Sequence, residues 1–289
     1  MPSLKAVRIR IASVKSTQKI TRAMKLVAAA KLRRAQDAIV AARPYADALS
    51  EAVAELAARA AESDHPMLQK REVKRVALVA LTSDRGLAGG FNANVGRAAQ
   101  AFIAEAKQNG DTDITLHLVG RKGREFARRR KMNIGNEWGG VSGATALDRA
   151  REIALTVTDA FAEGKIDAVH LVYNQFKSAI SQKVVVTPLL PVVPAPLGPE
   201  AGATDFIYEP SKEELLSLLL PLYLESQIYR SLLESIASEF GARMSAMENA
   251  TKAASEMIGR LTLQYNRARQ ASITKELMEI VGGAEALKG

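Results

Sequence analysis

The Gly86-Leu87-Ala88-Gly89-Gly90 run is the first stretch whose residue types could do chemistry, because backbone amides at a strand-to-helix turn can cradle phosphate. The order is wrong for that task. It is neither the G-x-G-x-x-G of a dinucleotide site nor the Gly-Lys-Ser/Thr ending of a P-loop, so no lysine reaches a phosphate and no hydroxyl holds magnesium. It reads as a tight turn. The run RKGREFARRRK, residues 121 to 131, holds seven basic side chains and one aromatic, Phe126. Three readings of it stay open: nucleic-acid contact, anionic lipid contact and a solvated helix face. The carboxylate pairs Glu213 with Glu214 and Glu276 with Glu279 could serve as acid and base only inside a pocket. They fall on helical, outward-looking positions and read as surface charge. His65, His117 and His170 are scattered without neighbouring ligands and are expected to be satisfied structural histidines. With no cysteine, thiolate catalysis, disulfides, cysteine-held zinc and thiol switching all drop out. No catalytic, cofactor-binding or metal site is expected.

At 289 residues with 47% hydrophobic content, the chain has enough apolar material for one or two packed domains. Forty Lys and Arg against 31 Asp and Glu give a formal net charge of +9, which calls for acidic or anionic partners. The excess is local. Residues 1 to 43 carry eleven basic side chains, from Lys5 to Arg43, and one acidic one, Asp37. No segment has the apolar length of a membrane span, and no signal-peptide pattern opens the chain, so it reads as soluble and cytoplasmic, meeting a membrane only through partners.

The elements that must position these residues come in three parts. From Ser3 to about Ala61 the chain lacks glycine and places Ile20, Met24, Ala28, Leu32, Ala35, Ile39 and Ala42 at helical spacing. Such a helix would run roughly 85 Å at 1.5 Å per residue, and Pro44 should kink it locally. After the polar break at Ser63 to Pro66 the period changes. Strand-like runs at Val73 to Thr82, Ile114 to Val119, Ala168 to Tyr173 and Lys183 to Leu190 alternate with helices ending near Lys107, at Arg121 to Lys131 and at Thr145 to Glu163, with a Gly-rich link before the last. That order predicts a small, open, Rossmann-like α/β sheet with right-handed crossovers. A final helix opens on Ser211 and Glu214, a capping-box pair, and runs to about Val281, with Pro221 implying a kink or early break. Between Phe240 and Ser272 the positions Phe240, Met244, Met247, Thr251, Ala254, Ile258, Leu261, Tyr265, Ala268 and Ser272 alternate steps of four and three. This heptad predicts a left-handed coiled coil whose partner is the N-terminal helix, antiparallel. Its small seam residues bury little area and let the backbones approach closely. Beyond Ser272 the apolar phase moves to Ile273, Leu277, Ile280 and Val281, as if the helix end faces another surface. The fold class is therefore α/β, with a long antiparallel coiled coil of residues 1 to 62 and 211 to 286 and a central α/β domain over residues 73 to 208.

Three ordered blocks carry a family resemblance that periodicity does not: SVKSTQKITRAMKLVAAAKLRRAQ at 13 to 36, LTSDRGLAGGFN at 81 to 92, and LQYNRARQASITKELMEIVGGAEAL at 263 to 287. IYEP at 207 to 210 and ESQIYRSLLESIASEFGARMSAMENAT at 225 to 251 extend it over nearly the whole chain. The chain resembles the gamma subunits of bacterial F-type ATP synthases. The resemblance implies a non-catalytic rotor shaft that couples proton movement to ATP synthesis or hydrolysis. It would be present once per complex, inside a hexameric ring of alpha and beta subunits, with epsilon and the membrane c ring at its foot. It would lie peripherally at the cytoplasmic face of the bacterial inner membrane, with no cofactor and no nucleic acid. Residue by residue, Met24, Lys25 and Arg243 match positions near an acidic loop of beta, and Arg269, Gln270, Thr274 and Glu276 match positions on the inner surface of the catalytic ring. The apolar tip at Leu277, Ile280 and Val281 resembles a part held in a hydrophobic sleeve, while Tyr208 and Glu209 match the foot.

This chain departs from the family pattern at Ala88, where a cysteine is frequent, and at Lys252 and Ala253, where an Asp-Asn pair is frequent. At the second departure the polar mid-shaft contacts that the resemblance would imply are not carried over to this chain. Two other classes of function compete. A nucleic-acid-binding coiled coil would explain the charge and would show steep salt dependence, but not heptads leading to an apolar tip. An enzyme built on the α/β domain would require nucleotide binding by the chain alone.

Overall fold

The computed structural model describes residues 3–58, 65–109, 112–193, 209 and 211–286. These fall into two compact units, one of residues 28–243 and one of residues 1–27 with 244–289.

In the larger unit, strands β1 (Arg75–Leu81), β2 (Asp113–Val119), β3 (Ile134–Trp138), β4 (Ala168–Phe176) and β5 (Gln182–Leu190) form one sheet in the order β3-β2-β1-β4-β5. All neighbours are parallel except β4 and β5. Helices α2 (Phe91–Asn109), α3 (Arg121–Arg129) and α4 (Ala146–Ala162) make the connections. β1 is central and reads as an almost unbroken apolar run, as a strand covered on both faces must. Alternation sends Val76, Leu78 and Ala80 to one face, where Val95 and Ala99 of α2 and Ala127 of α3 join them in a single core cluster. The glycines are fitted to that packing. A Cβ at Gly96 would lie 2.7 Å from the Phe126 ring, so α2 and α3 approach more closely than alanine would allow.

β3 was expected to be part of a Gly-rich link. Its Gly, Asn and Glu give it little strand propensity, and it is recruited by pairing on one side only, to β2. Gly135 is needed there, because a Cβ would stand 2.8 Å from both His117 and Thr115.

Two long helices carry the rest of the chain. Helix α1 (Leu4–Ala58) starts at Ser3, whose hydroxyl accepts the Ala6 amide at 3.3 Å. Helix α5 (Lys212–Ala286) starts at Ser211, whose hydroxyl accepts the Glu214 amide at 3.2 Å, the first half of the expected capping box. The helix does not break at Pro221 and runs on to Ala286. Leu216, Leu220, Leu224 and Ile228, spaced by four, are all completely buried around that proline, and their burial outweighs one lost backbone hydrogen bond. From Ser231 to Ser238 every residue of α5 is buried, so here the helix lies inside the larger unit rather than on it.

Candidate functional site

In the smaller unit α1 and α5 run antiparallel. Arg8 donates to the Tyr265 hydroxyl at 2.9 Å, Thr21 and Thr251 share a hydroxyl hydrogen bond of 2.7 Å, and Lys25 pairs with Glu248 at 2.8 Å. As α1 advances from 8 to 25, α5 retreats from 265 to 248, so the register is constant. Met247, Thr251, Ala254, Ile258, Leu261, Tyr265, Ala268 and Ser272 are buried or half-buried, and between Glu248 and Ser272 only Ala250 shares that status off the seam. The expected heptad is the observed one on α5. On α1 one position is corrected: Ile20 is exposed, and Thr21 takes its place, seven residues before fully buried Ala28. A seam of period 3.5 demands position 21, whereas a count in fours back from Met24 lands on 20.

Paired positions sum to 272 or 273, so Leu4, the first residue of α1, stands level with about residue 268 or 269 of α5. Beyond that level no described α1 residue stands opposite α5. Ile273, Leu277, Met278, Ile280 and Val281 are all more than half exposed, five large apolar side chains within nine residues of one helix. Arg269, Gln270, Thr274 and Glu276 are exposed on the same stretch. On α1, Met24 and Lys25 are half-buried, and Lys5, Arg8, Arg10, Lys15, Lys19 and Arg22 are exposed. Thus the sequence-derived contact residues at 24–25 and 269–281 are surface residues of one unit, close to its seam or past its end. Glu209 is exposed, and Tyr208 lies outside the described residues.

Arg243 is different. It belongs to the larger unit, is only 8% exposed, and spends its guanidinium internally. Nη1 pairs with Glu239 at 2.6 Å, and Nη2 donates to the carbonyls of Arg85 and Gly86 at 3.3 and 3.2 Å. Those carbonyls belong to the Ser83–Gly90 segment, which the structure shows as a tight, braced turn. The Ser83 amide donates to Asn92 Oδ1 at 2.9 Å, the Ser83 hydroxyl donates to the Arg85 carbonyl at 2.7 Å, and the Phe91 amide donates to the Ala88 carbonyl at 3.2 Å. Burial pushes the Glu239 carboxyl above its usual range, with Arg243 pulling it back and Asp84 adding to the rise. The Phe240 ring has the cations of Lys31 and Arg243 at 5.3 and 5.5 Å from its centroid. Sequence reasoning passed over Glu239, although its spacing of four from Arg243 on a helix is a visible ion-pair signal.

The basic run on α3 is largely engaged within its own unit. Arg121 pairs with Asp84, Lys122 with Glu125, and Arg124 and Arg128 with Glu137. Arg130 stacks over Phe126 at 3.8 Å and donates to Gln100. Of its three readings, the solvated helix face fits. His65 and His117 behave as satisfied structural residues: their Nδ1 atoms accept the amides of Met67 and Asn136 at 3.2 and 3.1 Å. His170 departs from that expectation, because its Nδ1 is buried with no hydrogen-bond partner among the described residues. Its strand neighbour is Pro188, which has no amide to give. Burial lowers the pKa of all three, which favours the neutral ring. Among the described residues no cluster of metal-ligating side chains occurs, and no helix is long and apolar enough to cross a membrane.

Comparison with known proteins gives concordant matches. The family model described as ATP synthase matches residues 3–287. The ATP synthase gamma chain of Anaeromyxobacter sp. strain Fw109-5 is 55% identical over 291 residues, covering all of both chains. That of Geobacter metallireducens is 51% identical over 289 residues, again covering all of both. A solved chain from the central stalk and c-ring of Tetrahymena thermophila mitochondrial ATP synthase is 27% identical with a TM-score of 0.60, covering 80% of this chain and 99% of that one. A chain from the Euglena gracilis mitochondrial assembly of OSCP, F1 and c-ring is similar in fold, with a TM-score of 0.69 at 21% identity, covering 98% of this chain and 94% of that one.

Proposed function

The chain belongs to the ATP synthase gamma-chain family, the non-catalytic central-stalk subunit of that membrane-associated complex, and we propose the following account of how its residues do that work. It is present once per complex, within a ring of alternating alpha and beta subunits, with epsilon and the c ring at its foot and the whole at the cytoplasmic face of the inner membrane. Turning in that ring, the asymmetric shaft presents a different face to each catalytic beta subunit in succession, so that proton-driven rotation changes nucleotide affinity site by site.

The observation that carries this reading is the register of α1 on α5. It leaves an exposed apolar helix end with no α1 residue opposite it among the described residues, directly after Arg269 and Gln270 and interleaved with Thr274 and Glu276. Leu277, Ile280 and Val281 fit an apolar sleeve at the ring's axis, while Arg269, Gln270, Thr274 and Glu276 meet its inner wall. Met24 and Lys25 lie among the exposed cations of α1, where acidic residues of beta would offset the charge. Glu209, with Tyr208, belongs to the foot near epsilon and the c ring. Arg243 acts on the coupling surface through the turn it holds.

Tagging this chain in its native host, isolating it gently from membranes and identifying its companions by mass spectrometry tests the proposal. Stoichiometric alpha, beta and epsilon subunits with c-ring protein are expected. Recovery of the chain alone, or with nucleic acid, would overturn it.

A further inference from the structure

In a doubly wound sheet, ligands bind in the crevice beyond the carboxyl ends of the strands where the strand order reverses. Here that point lies between β1 and β4: the chain steps from β1 to β2 and β3 on one side, and β4 and β5 occupy the other. The crevice is filled by the protein itself. The Ser238 hydroxyl of α5 donates to the Asn174 carbonyl at the end of β4 at 2.9 Å, and the Asn174 side-chain amide donates to the Phe91 carbonyl at 3.3 Å. On the β2 side of β1, Leu232, Ile236 and Glu239 of α5 close over Leu81, Thr82, Asp84, Val119 and Gly120, leaving a cavity of about 20 Å³, room for no more than about one water.

Beside this filling, the turn after β1 holds a residue that needs holding. Leu87 has φ +63, a left-handed conformation that a leucine rarely adopts, and it is 64% exposed, so its own burial does not keep it there. Surrounding bonds must fix it. On the α5 side these are the two donations from Arg243 Nη2 to the carbonyls of Arg85 and Gly86, with Nη1 tied back to Glu239.

We propose that the sheet crevice grips α5 as a built-in ligand and that Arg243 is the pin of that grip, locking the Ser83–Gly90 turn to the helix so that turn and helix move as one body. Arg243 is then a positioning residue. A planar fork serves three acceptors at once, and a lysine ammonium keeps the charge but not the fork. Part of the functional consequence rests on the shaft reading above, because a turn that slips on α5 would loosen coupling without touching any nucleotide.

The test uses the complex isolated from membranes, in wild type, in Arg243→Lys, and in the double variant Arg243→Met with Glu239→Gln, which leaves no unpaired charge buried. Hydrogen exchange is followed in peptides covering residues 82–92 and, separately, β1 and β4. Loss of the charge-assisted bonds should speed exchange in the turn roughly ten- to a hundredfold, with the strands unchanged. Protons pumped per ATP hydrolysed should fall in parallel. Unchanged exchange in the turn, or equal acceleration throughout the sheet, would overturn the pin. Faster exchange confined to the turn with unaltered pumping would sustain the pin and count against the shaft reading, so the two failures are distinct.

Discussion

Changing Leu277 and Ile280 together to aspartate separates what the helix end does for its own chain from what it does for a partner. In this chain the two side chains are 56% and 69% exposed, past the last residue of α5 that has an α1 neighbour. Little internal packing is lost, and the intrinsic cost in the free chain is about 0.5 kcal/mol per site from helix propensity. Inside an apolar sleeve the arithmetic changes. Burying the exposed part of each side chain is worth about 1–2 kcal/mol at about 25 cal/mol per Å², and a carboxylate moved into the same place adds a desolvation cost of several kcal/mol. The retained affinity of the chain for the catalytic ring should fall by at least about 4 kcal/mol, roughly a thousandfold. The assay is dissociation of this chain from the purified complex on dilution, with circular dichroism of the variant chain as the control for helix content. Weakened retention with helix content preserved is expected. Retention like wild type, with proton pumping per ATP intact, would refute the sleeve argument.

Met24→Lys adds a cation beside Lys25 on a helix surface already crowded with basic side chains, so pumping per ATP hydrolysed should drop while assembly persists; unchanged stoichiometry would count against it. Gly120→Ala should cost about 3 kcal/mol or more in urea unfolding, because φ is +91 and the new Cβ would fall 2.3 Å from the Thr82 carbonyl oxygen. Asp167 accepts the side chain of Arg75 and the amides of Lys74 and Arg75, which hold its carboxyl below 3.8. Its contribution is complete above that value and is lost as pH falls through the depressed folded value, so Asp167→Asn should cost about 1–3 kcal/mol at pH 7 and progressively less below about pH 4. His117 runs the other way in charge: burial lowers its pKa from 6.5, so its contribution is complete above 6.5 and fades as pH drops below it. The Asn136 amide, which donates to His117 Nδ1, should exchange faster at pH 5.5 than at pH 7.5 relative to its intrinsic rate, and His117→Phe should remove that dependence.

What was legible in the sequence was whatever one helix or one strand decides alone. The α5 seam from Met247 to Ser272 could be read because its side chains repeat at 3.5 residues and, apart from Ala250, the other residues there are exposed. On α1 the same reading slipped at Ile20, since both 20 and 21 carry β-branched residues and only pairing with Thr251 chooses between them. β3 was illegible because β2 and the space over Gly135, rather than its own propensity, make it a strand. Pro221 implied a kink or an early break; the break does not occur, because four fully buried side chains around the proline favour continuity. Arg243 could be matched to a family position, but its three internal acceptors come from a turn more than 150 residues away and from the helix it sits on.

The two units also differ in what holds them. In the larger one, strands and helices bury a shared core of Leu, Ile, Val and Phe, and that burial suffices for a stable domain. The smaller unit has a seam in which Thr21, Thr251, Ala254, Ala268 and Ser272 alternate with a few large residues, and small side chains bury too little area to stabilise a long helix pair strongly. Its α1 strand of the pair also carries seven cations between Lys5 and Lys25 with no acidic residue, and only Lys25 has an ion-pair partner among the described residues. Like charges along one helix repel, which works against the pair in water. A low-area seam, uncompensated positive charge and an uncovered apolar end are each unfavourable for a free-standing coiled coil. All three become favourable when the pair is enclosed by a surface that is acidic along its length and apolar at its end. The smaller unit therefore gains from being surrounded, and a thin seam is the form that leaves room for a surrounding partner.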